Sequence, residues 1–420
     1  MQIQLCRKVE IFPMDDQKEV LWALSERCRL IYNFALAERR EIYEKTGRGM
    51  AYTKQQNTLP GIKKKYPEYS WVYSKVLQMT LKSLSADYKS FFALKKNGDK
   101  NARPPSFKGK KYFTTMNYNQ SGFRLDRKNN KISFTQFYKK DVELSFSVPD
   151  YLMDGIKRVI QISIFHNHDN DKFYLSLTYE EKVKKEYLDN GLYQAIDPGI
   201  TKIVTAVNSA GKFFEVKTPR HDKYWNPIID SLKSKRDHCL KGSRKWNRYN
   251  KTYRTCESRR AHQIKDFEHK LSRKMVDNTK ANTIIIGKLD VKNMAQSDKA
   301  TKGLNRATQS TGYLSRFIGF LTYKSELAGK KLIEINEEDT SKTCCCDGKK
   351  HDMPIWVRTM KCDCGNVIDR DKNSAVNIMV RFLSQNALWT GYREVLDNLR
   401  KTGMPIRALL VGNPLAKASG

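Results

Sequence analysis

Two short apolar runs, Thr283-Ile284-Ile285-Ile286 and Lys331-Leu332-Ile333-Glu334-Ile335, flank a helical segment from Ser315 to Leu327, and this order leaves the chain few ways to fold. Continuously apolar runs of this length read as buried strands. A strand, a helix and a strand in one sheet connect by a right-handed crossover, so the two strands pair in parallel. Their ends, at Gly287 and near Glu337, are therefore expected side by side. Upstream, Tyr193 to Asp197, Ile203 to Val207 and Phe213 to Val216 are separated by Asp197-Pro198-Gly199 and Ser209-Ala210-Gly211. That spacing predicts an antiparallel meander with an acid at the end of its first strand, the way an RNase H-like sheet begins. Between the two halves of the sheet, 221–280 is rich in Lys and Arg and has no Pro after Pro227, which predicts a basic helical hairpin.

The N-terminal half reads differently. Met1 to Phe12 predicts a strand stopped by Pro13, and Asp15 and Asp16 suit the positive end of a helix that follows. A second helix is expected from Tyr73 to Leu94, with Val76, Leu77, Leu81, Leu84, Tyr88 and Phe91 as its apolar stripe. Lys95 to Tyr112 reads as a basic loop. Short strands follow at Phe123–Leu125, Lys131–Phe134 and Val142–Phe146, and a hairpin joins Arg158–Phe165 to Phe173–Tyr179. Several short strands with helices inserted after the first predict a small β-barrel able to present a nucleic-acid groove. Lys182 to Lys185 reads as a linker.

Lys and Arg number 78 against 45 Asp and Glu, leaving a net charge of +33. Charge of one sign on that scale repels itself, and a polyanion is the partner that relieves it. Five of the 9 cysteines fall between Cys344 and Cys364, a metal-binding rather than a disulfide pattern. No signal peptide and no run of apolar residues long enough to span a bilayer are seen, so a reducing, cytoplasmic setting without a membrane partner is expected.

Four segments together resemble the TnpB family, the OrfB proteins of small insertion sequences, which are compact RNA-guided DNA endonucleases related to type V CRISPR effectors. They are Asp197-Pro198-Gly199, Leu289-Asp290-Val291-Lys292-Asn293-Met294, Thr340-Ser341-Lys342-Thr343-Cys344 and Asp369-Arg370-Asp371-Lys372-Asn373-Ser374-Ala375. Tyr32 to Leu36 and Phe107-Lys108 extend the likeness over almost the whole chain. The resemblance implies a multidomain α/β plus β-barrel fold. A wedge-like oligonucleotide-binding β-barrel would span 1–12 and 106–185, with a helical recognition insert at 13–105. A RuvC nuclease domain would span 186–339 and 366–390, with a zinc-finger-like target-nucleic-acid-binding insert at 340–365 and a tail at 391–420, its last dozen residues poorly ordered. It further implies a guide RNA, a double-stranded DNA target with a short flanking motif, and Tyr52, Thr53, Lys75, Gln78 and Asn117 as candidates for reading the duplex.

RuvC-type hydrolysis uses carboxylates that hold two Mg²⁺ ions, hard cations suited to oxygen ligands. Asp197 fits the first acid and Asp371 the third. The family's second acid is a Glu at the end of the Thr283–Ile286 strand, and here that position is Gly287. Two readings follow. The acid has moved to the neighbouring strand as Glu337, or the nuclease is dead and the protein is an RNA-guided DNA-binding transcriptional repressor. A DNA-joining transposase is a third class, without an evident recombinase motif. The insert also departs from two Cys-x-x-Cys pairs. Cys344, Cys346, Cys362 and Cys364 are the four thiolates that could hold Zn²⁺, with Asp347 where a Cys would be expected.

Overall fold

The computed structural model describes residues 2–119, 121–183, 185–288, 313–354 and 356–406. The Leu289 to Met294 motif and the end of the tail, 407–420, lie outside the described residues. The chain forms two compact units that divide after Glu181, just before the segment that reads as a linker.

The first unit opens with β1 (Gln2–Ile11) and α1 (Asp15–Thr46). Asp15 and Asp16 occupy the first turn of α1, and the helix ends at Gly47, whose φ of 64° no other residue type adopts so cheaply. Then come α2 (Tyr52–Lys65), α3 (Ser74–Lys96), β2 (Met116–Asn119), β3 (Phe123–Asp126), β4 (Lys131–Phe134), β5 (Ser145–Ser147), the single turn α4 (Asp150–Met153), β6 (Arg158–Asn167) and β7 (Lys172–Lys182). The sequence pattern does not reveal α2, because Pro60, Gly61 and a polar composition mask its periodicity. The strands form a four-stranded sheet, β1-β7-β6-β2, and a three-stranded sheet, β3-β4-β5, where a barrel was expected. β5 is shorter than its apolar run, although Leu144 O still accepts from the Phe134 N–H at 2.8 Å. Leu21, Leu24 and Ile31 of α1 and Leu77, Leu81 and Leu84 of α3 share one core with Met116, Ile162, Ile164, Leu175 and Leu177 of the larger sheet. Burial of those side chains, at about 25 cal/mol per Å² of apolar surface, is what fastens the helices to the strands.

The second unit is built on a five-stranded sheet in the order β10-β9-β8-β11-β12. The strands β8 (Tyr193–Asp197), β9 (Lys202–Asn208) and β10 (Phe213–Lys217) form the antiparallel meander. Helices α5 (His221–Asp237) and α6 (Arg244–Asn278) follow as a hairpin, tied by the Trp225 indole N–H donating to Gln263 Oε1 at 2.7 Å. Then β11 (Thr283–Lys288), α7 (Tyr313–Leu327) and β12 (Lys331–Asn336) complete the sheet, with β11 parallel to both β8 and β12 as the crossover requires. The small strands β13 (Thr359–Lys361) and β14 (Val367–Asp369) pair antiparallel, and α8 (Arg370–Gln385) and α9 (Trp389–Lys401) end the described chain.

Alternation along β11 sends side chains to two cores. Ile284 and Ile286 join α6 and α7 through Met275, Val276, Phe317 and Leu321. Ile285 faces the other way, toward Ile378, Met379 and Phe382 of α8. Both faces of the sheet are thus covered by helices, which is why its central strands are continuously apolar. Among the described residues no helix is long and apolar enough to cross a membrane.

Candidate active site and metal centre

Register decides which acids can meet. Ile286 of β11 pairs with Ile196 of β8 and with Glu334 of β12, and Gly287 pairs with Ile335. Asp197 is therefore one rung beyond Ile196, level with Gly287. Side chains on one rung of a parallel sheet share a face, and residues two apart on a strand share it again. Ile335 packs in the core that contains α8, so Asp197, position 287 and Glu337 all face that helix. Asp371 enters the same space from the first turn of α8.

Electrostatics record the convergence. Burial, reinforced by the Glu337 and Asp371 carboxylates, holds the Asp197 carboxyl well above the usual range, against a hydrogen bond from Ser374. Burial pushes Glu337 up to about 7, opposed by the Arg381 guanidinium. Burial also raises Asp371, against the pull of Arg358. Arg358 Nη2 donates to Asp371 Oδ2 at 2.5 Å, and Lys202 Nζ lies 3.9 Å from the same atom. Three carboxyls that resist ionisation together are a site that a multivalent cation stabilises.

Two details single out Glu337. Its Oε2 is buried and has no hydrogen-bond partner. A Cβ built on Gly287 would come within 2.3 Å of that same oxygen and 3.2 Å of Glu337 Cβ. The absent side chain at 287 is thus the room Glu337 occupies. Glu338, one residue on, is exposed, and so is Lys288, which takes its charge away from the acids. Asp369 serves the helix instead. Its Oδ1 accepts from the backbone N–H of Asp371 at 2.9 Å and of Lys372 at 3.3 Å, capping α8, while its Oδ2 meets Lys202 Nζ at 3.0 Å.

The cysteine insert folds as a turn and a small hairpin. Cys344 N–H donates to Lys349 O and Gly348 N–H donates to Cys344 O, both at 2.9 Å. Four ligand atoms converge within 4.8 Å of one another: the sulfurs of Cys344, Cys362 and Cys364 and a carboxylate oxygen of Asp347. Cys344 Sγ is 3.8 Å from Cys364 Sγ, and Cys362 Sγ is 3.2 Å from Asp347 Oδ2. Zn–S bonds of about 2.3 Å in a tetrahedron place two sulfurs about 3.8 Å apart, so the donor set fits zinc. The fourth ligand expected from sequence, Cys346, is not in this set. Its Sγ lies 3.9 Å from that of Cys345, and Asp347, at the two-residue spacing from Cys344, stands in the fourth place. Without a metal, burial pushes the Cys362 thiol up to about 12.

In the first unit, the Tyr52 hydroxyl donates to Gln78 O at 3.4 Å, joining the start of α2 to α3. Thr53 and Lys75 are exposed near the starts of the same helices. Asn117 Oδ1 accepts from Ser163 Oγ at 2.6 Å and from Gln161 Nε2 at 3.2 Å, so it belongs to a polar row on the sheet. The sequence pattern did not single out Lys202, Arg358, Arg381 or Asp347 as parts of these sites. Only Asp347 carried a signal, its position at the spacing of a missing cysteine.

Comparison with known proteins agrees along the chain. Residues 1–48 match the helix-turn-helix domain of OrfB from IS605 elements, 176–298 match the OrfB family described as a probable transposase, and 315–378 match the Cas12f1-like TNB domain. A protein of Streptomyces pristinaespiralis described as a candidate RNA-guided DNA endonuclease is 25% identical over 404 residues, covering 95% of this chain and 94% of its own. InsQ of Escherichia coli K12, described in the same terms, is 24% identical over 390 residues, covering 89% and 90%. In fold, the chain is similar to Cas12f1 as seen in a complex with single-guide RNA and target DNA, with a TM-score of 0.57, 14% identity and coverage of 87% and 83%. The fold is thus a multidomain α/β fold of the kind found in Cas12 effectors.

Proposed function

The chain belongs to the TnpB family, related to the type V CRISPR effectors, and on that premise we propose that it is an RNA-guided endonuclease of double-stranded DNA whose second acid is Glu337. The observation that carries this reading is the fit between Gly287 and Glu337, in which a Cβ at 287 would meet Glu337 Oε2 at 2.3 Å. The unpartnered, buried Oε2 supports it further, since an orphaned carboxylate oxygen in a cluster of acids suits a cation ligand.

Asp197, Glu337 and Asp371 would hold two Mg²⁺ in this RuvC-type site, which would supply an attacking water of lowered pKa and charge neutralisation at the leaving oxygen. The chain's own residues set the stage. Ser374 orients the Asp197 carboxyl, and Asp369 caps α8 so that Asp371 projects from its first turn. Cys344, Asp347, Cys362 and Cys364 would hold Zn²⁺, which would tie the turn of the insert to its small hairpin. Guide RNA pairs with the target strand. Tyr52, Thr53, Lys75, Gln78 and Asn117 read the duplex motif that flanks the target, and the setting is the bacterial cytoplasm.

Cleavage of a guide-matched plasmid in Mg²⁺ tests the reading. Wild-type protein is expected to cut, Glu337→Ala to lose activity, Glu338→Ala to retain most of it, and Asp369→Ala to lose less than Glu337→Ala. Guide-dependent binding without any cleavage by the wild type would make the protein the silent repressor. Full activity in Glu337→Ala would refute the relocated acid.

A further inference from the structure

Glu337 stands one residue past the end of β12, whose last rung pairs Asn336 with Lys288. A carboxylate is only as well aimed as the peptide that carries it, and helix α8 grips this one. Asn373, Asn377 and Arg381 are spaced four residues apart, so they form a row along one face of the helix. The amide nitrogen of Asn373 donates to Thr343 O at 2.7 Å and to Thr340 O at 3.2 Å. That of Asn377 donates to the same two carbonyls at 2.7 and 2.8 Å. Arg381, 7% exposed, continues the row by one turn. Its Nη1 donates to Asn336 O, and its Nη2 donates to Glu338 O at 2.7 Å.

We propose that Arg381 is a positioning residue for the nuclease site, its guanidinium gripping the carbonyls on both sides of Glu337 and so fixing where that carboxylate points. The inference rests on the reading of Glu337 as a metal ligand. The geometry has the features of a rigid clamp. A planar fork spans two acceptors that a single ammonium would not satisfy together. The stem comes from the helix that also carries Asp371, ten residues earlier, so one rigid body sets two acids relative to each other. The backbone on the far side is held as well: Thr340 Oγ1 donates to Glu337 O at 2.8 Å and meets Ser374 Oγ at 2.9 Å. The guanidinium also brings a positive charge beside a cluster of acids, which reduces their mutual repulsion before any cation arrives.

The test is divalent-ion binding to the full-length chain, followed through the loss of the free Mn²⁺ EPR signal, with the melting temperature of the metal-free protein recorded alongside. Glu337→Gln is expected to weaken Mn²⁺ binding. Arg381→Met is expected to weaken it about 10- to 100-fold, the usual effect of removing a group that orients a metal ligand. Arg381→Lys, which keeps the charge and loses the fork, is expected to fall between. In cleavage, the same variants need more Mg²⁺ for half-maximal rate. Wild-type Mn²⁺ affinity in Arg381→Met, with binding weakened in Glu337→Gln, overturns this inference alone. So does a lowered melting temperature with unchanged affinity, which is what a purely structural role gives. If Arg381→Met does not fold, wild-type affinity in Arg381→Lys overturns it. Wild-type affinity in Glu337→Gln overturns the reading of Glu337, and the clamp with it.

Discussion

At the scale of single residues, the proposed chemistry turns on position 287. Gly287→Ala adds one methyl at a point 2.3 Å from Glu337 Oε2 and 3.0 Å from Ile378 Cδ1, so the Glu337 carboxylate must swing aside. Cleavage is expected to drop at least about 100-fold, beyond the loss typical for a supporting partner, while the melting temperature changes little. Retained activity in that variant would show that the contact is slack. The pH dependence follows from the same oxygen. Burial raises Glu337 from 4.5 to about 7 in the folded chain, so between those values the folded state holds a proton that the unfolded state has released. Its contribution to stability is therefore present below about 4.5 and is lost as pH rises through 7. In the absence of divalent ions, Glu337→Gln is expected to melt at higher temperature than the wild type above pH 7 and to differ less near pH 5. Parallel melting curves across that range would contradict the assignment. Asp197 and Asp371 are placed in the acid cluster by the strand and helix patterns that the sequence carries openly. Arg381 was illegible because its partners are backbone carbonyls, which leave no trace in residue types.

At the scale of elements, the crossover and the meander were readable because apolar runs bounded by turns have few alternatives. Helix α2 was not, since only Gln55 and Leu59 of it are fully buried while Pro60 and Gly61 interrupt its pattern. The insert was half readable. Its cysteines announced a metal site, but which thiolates meet depends on turn geometry, and the turn brings Asp347 rather than Cys346 to the others. Substituting Co²⁺ in the purified protein measures this directly. Charge-transfer absorption is expected to match three thiolates, to survive Cys346→Ala, and to grow in Asp347→Cys. Loss of the spectrum in Cys346→Ala would return that cysteine to the ligand set.

Across the whole molecule, the division after Glu181 follows from hydrophobic cores that do not cross it, and the segment that reads as a linker begins there. What composition could not give was the pairing of the first unit's strands, which form a four-stranded and a three-stranded sheet. The net charge of +33 makes its own prediction. Affinity for guide RNA and DNA should fall steeply with salt, by about 10³- to 10⁵-fold between 50 and 200 mM if 6–10 phosphates are contacted. A shallow slope would mean that most of the basic residues face away from the nucleic acid.

The mutual exclusion of side chains at 287 and 337 also limits how such a site can change hands over time. A chain with Glu at both positions would be crowded, and a chain with neither would have lost its second acid. Chains that combine Glu at 287 with a small residue at 337, and the reverse, should be viable endpoints. Gly287→Glu joined to Glu337→Gly in this chain would recreate the other one, and any activity it kept would measure the width of the valley between them.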